Sequence, residues 1–230
     1  VMAPPLASGT QLDYFTGIAP LLALPAVALF PQVHCPLQVF DEPHRVLTDD
    51  ALQTERMIAM AVLQPGWESH SSRDDLPLEP VVCLAQIDAD HDSGDGRRVL
   101  LMRGLIRARI TQELPCERPY RRVKLQLLPD VYPTPPAIDR DRRRLELLDL
   151  YRQLHPVVDA DAQLQPVASD PLSLGECCDQ LSAAATSDVA RALLLEPNVD
   201  LRSDLLLDNL RRQVRQADRT EKFPPTFSSN

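Results

Sequence analysis

Two groups of residues have the types and spacing that could do chemistry. Asp88, Asp90 and Asp92 alternate as the first ligands of an EF-hand calcium loop do. Such a loop needs glycine at its sixth position and glutamate at its twelfth, and here these are Ser93 and Val99. The acids therefore read as a hairpin tip, and no metal is expected. His34 beside Cys35 has the composition of a base and a thiol nucleophile. Neighbours on a strand point to opposite faces, so these two side chains cannot meet. His44, His70, His91 and His155 are scattered, with no cysteine or carboxylate at metal-ligand spacing. The five cysteines, two of them adjacent at Cys177 and Cys178, read as reduced thiols, which fits the cytosol. No glycine-rich loop ending in lysine occurs, so no nucleotide or other cofactor is expected.

What remains are side chains suited to binding. Arg107 and Arg109 share one face of an alternating strand and stand either over a substrate groove or on a solvated face. Phe40, Trp67 and Tyr120 fall in loops or at strand ends, where apolar residues that meet a partner tend to lie. Trp67 sits in a polar loop, Gln64 to Leu78, as a peptide anchor or as a cap on the end of a barrel. Gly104 permits a sharp bend or a bulge.

The elements that must position these residues follow from composition and period. A chain of 230 residues makes one large domain or two small ones and buries enough surface to need no metal or disulfide. Aromatics are only 4%, so aliphatic side chains must fill the core. Its 22 prolines are spread among apolar runs, which implies stiff turns. A net charge of −9 argues against nucleic acid as the main partner, because phosphate binding needs clustered cations. The arginines around 140–144 and 211–219 are interleaved with acids or leucines and read as solvated helix faces. No run reaches the roughly 18 apolar residues that cross a bilayer, and no basic segment precedes Leu21–Phe30 to make a signal peptide.

Residues 1–20 read as a loose leader. Residues 21–132 read as β-rich, with strands at Met57–Leu63, Pro80–Ile87, Arg97–Met102, Leu105–Ile110 and Arg122–Leu128, and one helix from about His44 to Thr54. Asp88–Gly96 reads as the loop of a hairpin. The proline-rich stretch 133–137 is the expected linker. Residues 138–218 then take a helical period, with Ser187 and Asp200 as expected N-caps, and 219–230 are a tail.

Leu24–Asp41, LPAVALFPQVHCPLQVFD, resembles the opening motif of Lon protease N-terminal domains: a Leu-Pro pair, an apolar strand ending in Phe-Pro, a Pro-Leu pair, then an aromatic before an acid. Ala59–Gly66 is similar to the next family strand. Arg103–Ile110, RGLIRARI, resembles the family's glycine followed three residues later by arginine, and Pro119–Arg121 its entry to the last β element. Asp170–Ala184, Ala192–Asn198 and Asp200–Leu210 resemble its helical half. Cys83 departs from the pattern, standing where the family commonly has glycine.

The resemblance implies an α+β fold, a PUA-like pseudo-barrel of about six strands followed by a helical bundle. It implies a free-standing domain without the ATPase and peptidase parts, which binds unfolded or extended polypeptide, in a groove between barrel and bundle, without turnover. The alternatives are an assembly adaptor docked onto a protease or chaperone, and a hydrolase with an unrecognised dyad. The expected contacts are Phe40, Trp67, Arg107, Arg109 and Tyr120. The purified protein should neither hydrolyse ATP nor degrade casein. ATP turnover above background that a single substitution abolishes would refute this.

Overall fold

The computed structural model describes residues 12–25, 27–70, 76–94, 97–115, 117–155, 172–183 and 185–222. Six strands form one sheet: β1 (Ile18–Ala23), β2 (His34–Val39), β3 (Met57–Ala61), β4 (Val81–Asp92), β5 (Arg98–Glu113) and β6 (Arg122–Leu128). Their order is β2-β5-β4-β3-β1-β6, and β6 pairs again with β5. That second pairing closes five strands into a ring and leaves β2 with one neighbour among the described strands. The ring is possible because β5 is 16 residues long. Its first half pairs with β2, its second with β6, and β4 follows it along nearly its whole length.

One helix, α1 (Glu42–Leu52), lies between β2 and β3. Among the described residues four follow β6: α2 (Arg140–Leu154), α3 (Leu174–Ser182), α4 (Ser187–Leu195) and α5 (Val199–Lys222). The fold is α+β. Inside the ring, alternate residues of the strands, among them Leu21, Ala59, Leu84, Ala108 and Val123, make one apolar core. Residues of the opposite face, among them Leu22, Ile58, Ala85 and Met102, pack with Leu47 of α1 and with Leu147, Leu181, Leu194 and Leu206 of the later helices in a second core. Barrel and bundle therefore share their main apolar core.

Several expectations need correction. β1 begins at Ile18, inside the expected leader, because Ile18–Pro20 pair with Lys124–Arg122. Residues before 12 and after 222 lie outside the described ones, and α5 runs to Lys222, into the expected tail. In the apolar stretch 24–30 the described residues form no strand. Pro25 and Pro31 can donate to no ladder, and Leu29 and Phe30 are buried without one. The stretch 133–137 is no free linker either. The Ala137 N–H and the Arg140 guanidinium both donate to Asp200, and Arg140 also donates to the Pro133 carbonyl. Asp88–Asp92 belong to β4, and each acid there faces an arginine: Asp88 with Arg103, Asp90 with Arg56, Asp92 with Arg98.

The helix starts differ as well. Thr186, not Ser187, is the N-cap of α4. Asp200 is committed to Arg140, and the Asn198 side chain instead accepts from the N–H groups of Asp200 and Leu201. The N-terminus of α3 carries a full capping box, Ser173 with Glu176.

The two expected strands Arg97–Met102 and Leu105–Ile110 are one, and Gly104 marks the irregularity between them. Ala85 pairs with Gly104 but Leu84 with Ile106, so Leu105 is an extra residue, a β-bulge. A Cβ on Gly104 would collide with the Phe30 carbonyl, so the turn before β2 can pack there only against glycine. The bulge shifts the side-chain phase of β5. Leu100 and Met102 face the helices before it, and Arg107 faces them after it, opposite Cys83.

Arg107 is thus 1% exposed. Its guanidinium donates to both carboxylate oxygens of Asp179 on α3, at 2.9 and 2.6 Å, and to the carbonyls of Leu193 and Leu194 on α4. Arg202 of α5 donates to Asp130, at 2.9 and 2.5 Å, and lies 3.5 Å from Asp179. Two cations and two anions balance in this cluster. Burial pushes the Asp179 carboxyl up, and the hydrogen bond and charge of Arg107 and the charge of Arg202 pull it down. Gly175 has no side chain because a Cβ there would strike Asp130.

Removing one partner of a buried pair strands the other's charge, at about 3–5 kcal/mol. Arg107→Met and Asp179→Leu should each lower Tm by roughly 10 °C. The double variant should lose clearly less than the sum, which a double-mutant cycle in urea checks. Asp200 behaves differently. Its hydrogen bond from Arg140 holds its carboxyl below the usual value of 3.8, despite burial. A lowered folded pKa contributes stability above the unfolded value and loses it as pH falls through the folded one. Asp200→Asn should therefore lower the urea midpoint at pH 7, and the gap to the parent should narrow as pH drops below 3.8.

Candidate functional site

The five expected contact residues do not form one site. Phe40 follows β2 and is 71% exposed. Arg109 lies on β5 between Val81 and Gln126 and is exposed. Trp67 opens a short 3-10 turn, Trp67–Ser69, after Gly66 in a left-handed conformation, and is half-buried. Arg107 is consumed by the buried cluster and reaches no solvent. Alternation from Arg109 put it on the same face correctly, but helices cover that face at Arg107. Tyr120 is buried too. Its hydroxyl donates to Asp50 at 2.6 Å, and Arg118 donates to the same oxygen. Burial and that hydrogen bond push the phenol up to about 12. Tyr120 is thus a tie between α1 and the approach to β6. Asp50 stands near the end of α1 and Phe40 just before its start, so the two aromatics are separated by about one helix length, roughly 15 Å.

The expected groove between barrel and bundle is filled by the shared core and the arginine cluster. Two surface depressions lie elsewhere. One, about 260 Å³, is lined by Arg45, Asp49, Asp92, Gly94, Arg97 and Arg98 beside the β4–β5 turn. The other, about 650 Å³, follows α2 past Ile138, Arg142, Leu145, Glu146 and Asp149 to Arg211 of α5. Both are walled by arginines and carboxylates, several of them paired with one another. Arg98 bonds Asp49, and Arg211 bonds Glu146.

Three accessible features were not anticipated. Leu145 on α2 and Leu201 and Leu205 on α5 are exposed. The helical period names apolar positions without saying which of them exceed what the core can cover. Leu101 is exposed on β5, opposite Pro36 of β2. That β2 has a single neighbour among the described strands was invisible, because pairing partners are not written in a strand's own residues.

His34 and Cys35 do not form a base–nucleophile pair. His34 contacts Asp88 at 3.2 Å, while the Cys35 thiol faces the Pro36 carbonyl. Burial raises the Cys35 thiol and holds those of Cys83 and Cys177 up at about 12, so each stays protonated. Among the described residues no group of three or more histidines, cysteines and acids is placed to hold a metal.

Comparison with known proteins agrees with this architecture. The chain is similar in fold to the Lon N-terminal domain protein from Xanthomonas campestris, with TM-score 0.59 and 18% identity over 83% of this chain and 97% of that one. It is likewise similar to the N-terminal domain of Mycobacterium avium complex Lon protease, with TM-score 0.60 and 18% identity over 84% and 98%. No curated protein matches the chain. The family model of the ATP-dependent protease La (LON) substrate-binding domain matches residues 18–212, from the first residue of β1 well into α5, and the chain belongs to that family.

Proposed function

We propose that this domain recognises unfolded or extended segments of other polypeptides, without turning them over, in the cytosol. One observation carries the reading: the substrate-binding family match spans the strand ring and the helices together, so both halves belong to one binding module. Phe40, Trp67 and Arg109 are its candidate contacts, because all three are at least partly accessible. The absence of activity is supported by thiols held protonated and by a sequence without a phosphate-binding loop. The cytosol is supported by four free cysteines among the described residues, where no helix is long and apolar enough to cross a membrane.

A second reading is an adaptor that docks onto a protease or chaperone. Leu201 and Leu205 favour it, because they stand one turn apart and exposed on α5, where the domain's own core does not use them.

An aromatic anchor that fills a pocket contributes about 2 kcal/mol or more. Trp67→Ala should weaken binding of unstructured, apolar-rich peptides roughly thirtyfold and leave Tm nearly unchanged. A tryptophan that only caps the ring predicts the reverse, a clear drop in Tm with affinity following through unfolding. Fluorescence titration and calorimetry on the same variant separate the two. If no unfolded peptide binds the parent at high micromolar concentration, recognition falls and the adaptor takes its place.

A further inference from the structure

Among the described strands, β2 alone has a single strand neighbour. One hydrogen bond fixes which of its backbone groups point outward. The Gly104 N–H donates to the Val33 carbonyl at 2.9 Å, and His34–Val39 continue antiparallel to Arg103–Arg98. Hydrogen-bonded pairs alternate along such a ladder, so Cys35, Leu37 and Val39 turn their N–H and C=O groups toward β5, as the Val33 carbonyl does, while the Val33 N–H donates to the Phe30 carbonyl. His34, Pro36 and Gln38 turn theirs away. Proline stands where its missing N–H removes no bond from the sheet. The outer edge therefore offers two donors, at His34 and Gln38, and three acceptors.

Sheet edges are commonly guarded by charged side chains. β2 contains no lysine, arginine, aspartate or glutamate. Its solvent face is apolar at the centre, where Ala89, Leu101 and Pro36 stand in one cross-strand row and all three are exposed. Phe40 is exposed two residues past Gln38.

We propose that the outer edge of β2 takes up an extended segment of another polypeptide as an added strand, with an apolar residue opposite Pro36. This rests on the reading of the domain as a polypeptide-recognition module and supplies its mode of binding. A peptide fits the edge better than a second copy does. Six residues span about 20 Å, and a strip that long buries on the order of 400 Å² in total, far below the roughly 1,200 Å² of a stable specific interface. A weakly held peptide needs no more.

The test uses overlapping decapeptides of β-casein to find one that binds the full chain, followed by backbone N-methylation of that peptide at each position in turn. Strand addition predicts a period of two: methylation at alternate positions weakens binding about tenfold or more, and at the intervening positions it changes little. Gln38→Pro, which removes an outward N–H but no ladder bond, should also weaken binding about tenfold with little change in Tm. Gln38→Ala should leave affinity unchanged. A peptide that binds but shows no alternation overturns strand addition and leaves polypeptide recognition standing. If no casein peptide binds, recognition itself fails and the proposal with it. A dimer in sedimentation velocity that Gln38→Pro dissolves assigns the edge to a second copy and overturns the proposal.

Discussion

The ion pair between Arg107 and Asp179 is the constraint on which the rest of the molecule depends. A guanidinium buried this deeply must find a carboxylate, and must find hydrogen-bond acceptors for its remaining N–H groups. It finds the carboxylate on α3 and two carbonyls on α4. The cluster extends to Arg202 on α5 and to Asp130, between β6 and α2. One strand residue thereby sets how three helices lie against the sheet. An apolar surface alone would let the bundle slide, because burial of aliphatic side chains is non-directional. Bidentate geometry would not.

That pair exists because of a single extra residue. Without the bulge at Leu105, Arg107 would point into the ring toward Leu84 and Val123, in an apolar core. The bulge in turn stands beside Gly104, the one place where the Phe30 carbonyl can rest on the strand. A glycine, a bulge and a buried arginine form a chain of dependence along four residues of β5. The same strand also closes the ring through β6 and carries β2 on its other half. Closure leaves β2, among the described strands, as the one with a single strand neighbour. Its outer edge is thus a consequence of how the barrel is completed.

Much of the fold was legible in the residues. Strands with clean alternation, such as Arg122–Leu128, end where period and proline say they should. Helices beyond residue 138 follow their leucine spacing, but the caps expected at Ser187 and Asp200 are taken by Thr186 and Asn198. At 24–30, where Pro25 interrupts the apolar run and Pro31 ends it, the resemblance implied a strand that the described residues do not form. The candidate site was far less legible. Phe40, Arg109 and Trp67 remain accessible, but Arg107 and Tyr120 do not, because a polar side chain carries the same letter whether it meets water or a buried carboxylate. Exposure is a property of what packs above a residue, and α3, α4 and Asp50 pack above these two.

The sequence by itself determined the α+β class, the placement of most elements, the need for an aliphatic core and the family resemblance. Each of these rests on local period, local capping or residue composition, which neighbours in the chain impose on one another. Only the tertiary structure decided that barrel and bundle are joined by a neutral four-charge cluster, that the proline stretch is tied to Asp200, and that β2 has one neighbour among the described strands. These depend on pairs 60 to 87 residues apart, such as Arg140 with Asp200 and Arg107 with the Leu194 carbonyl. Contacts at that separation are not written in any local period, because they depend on how distant elements pack.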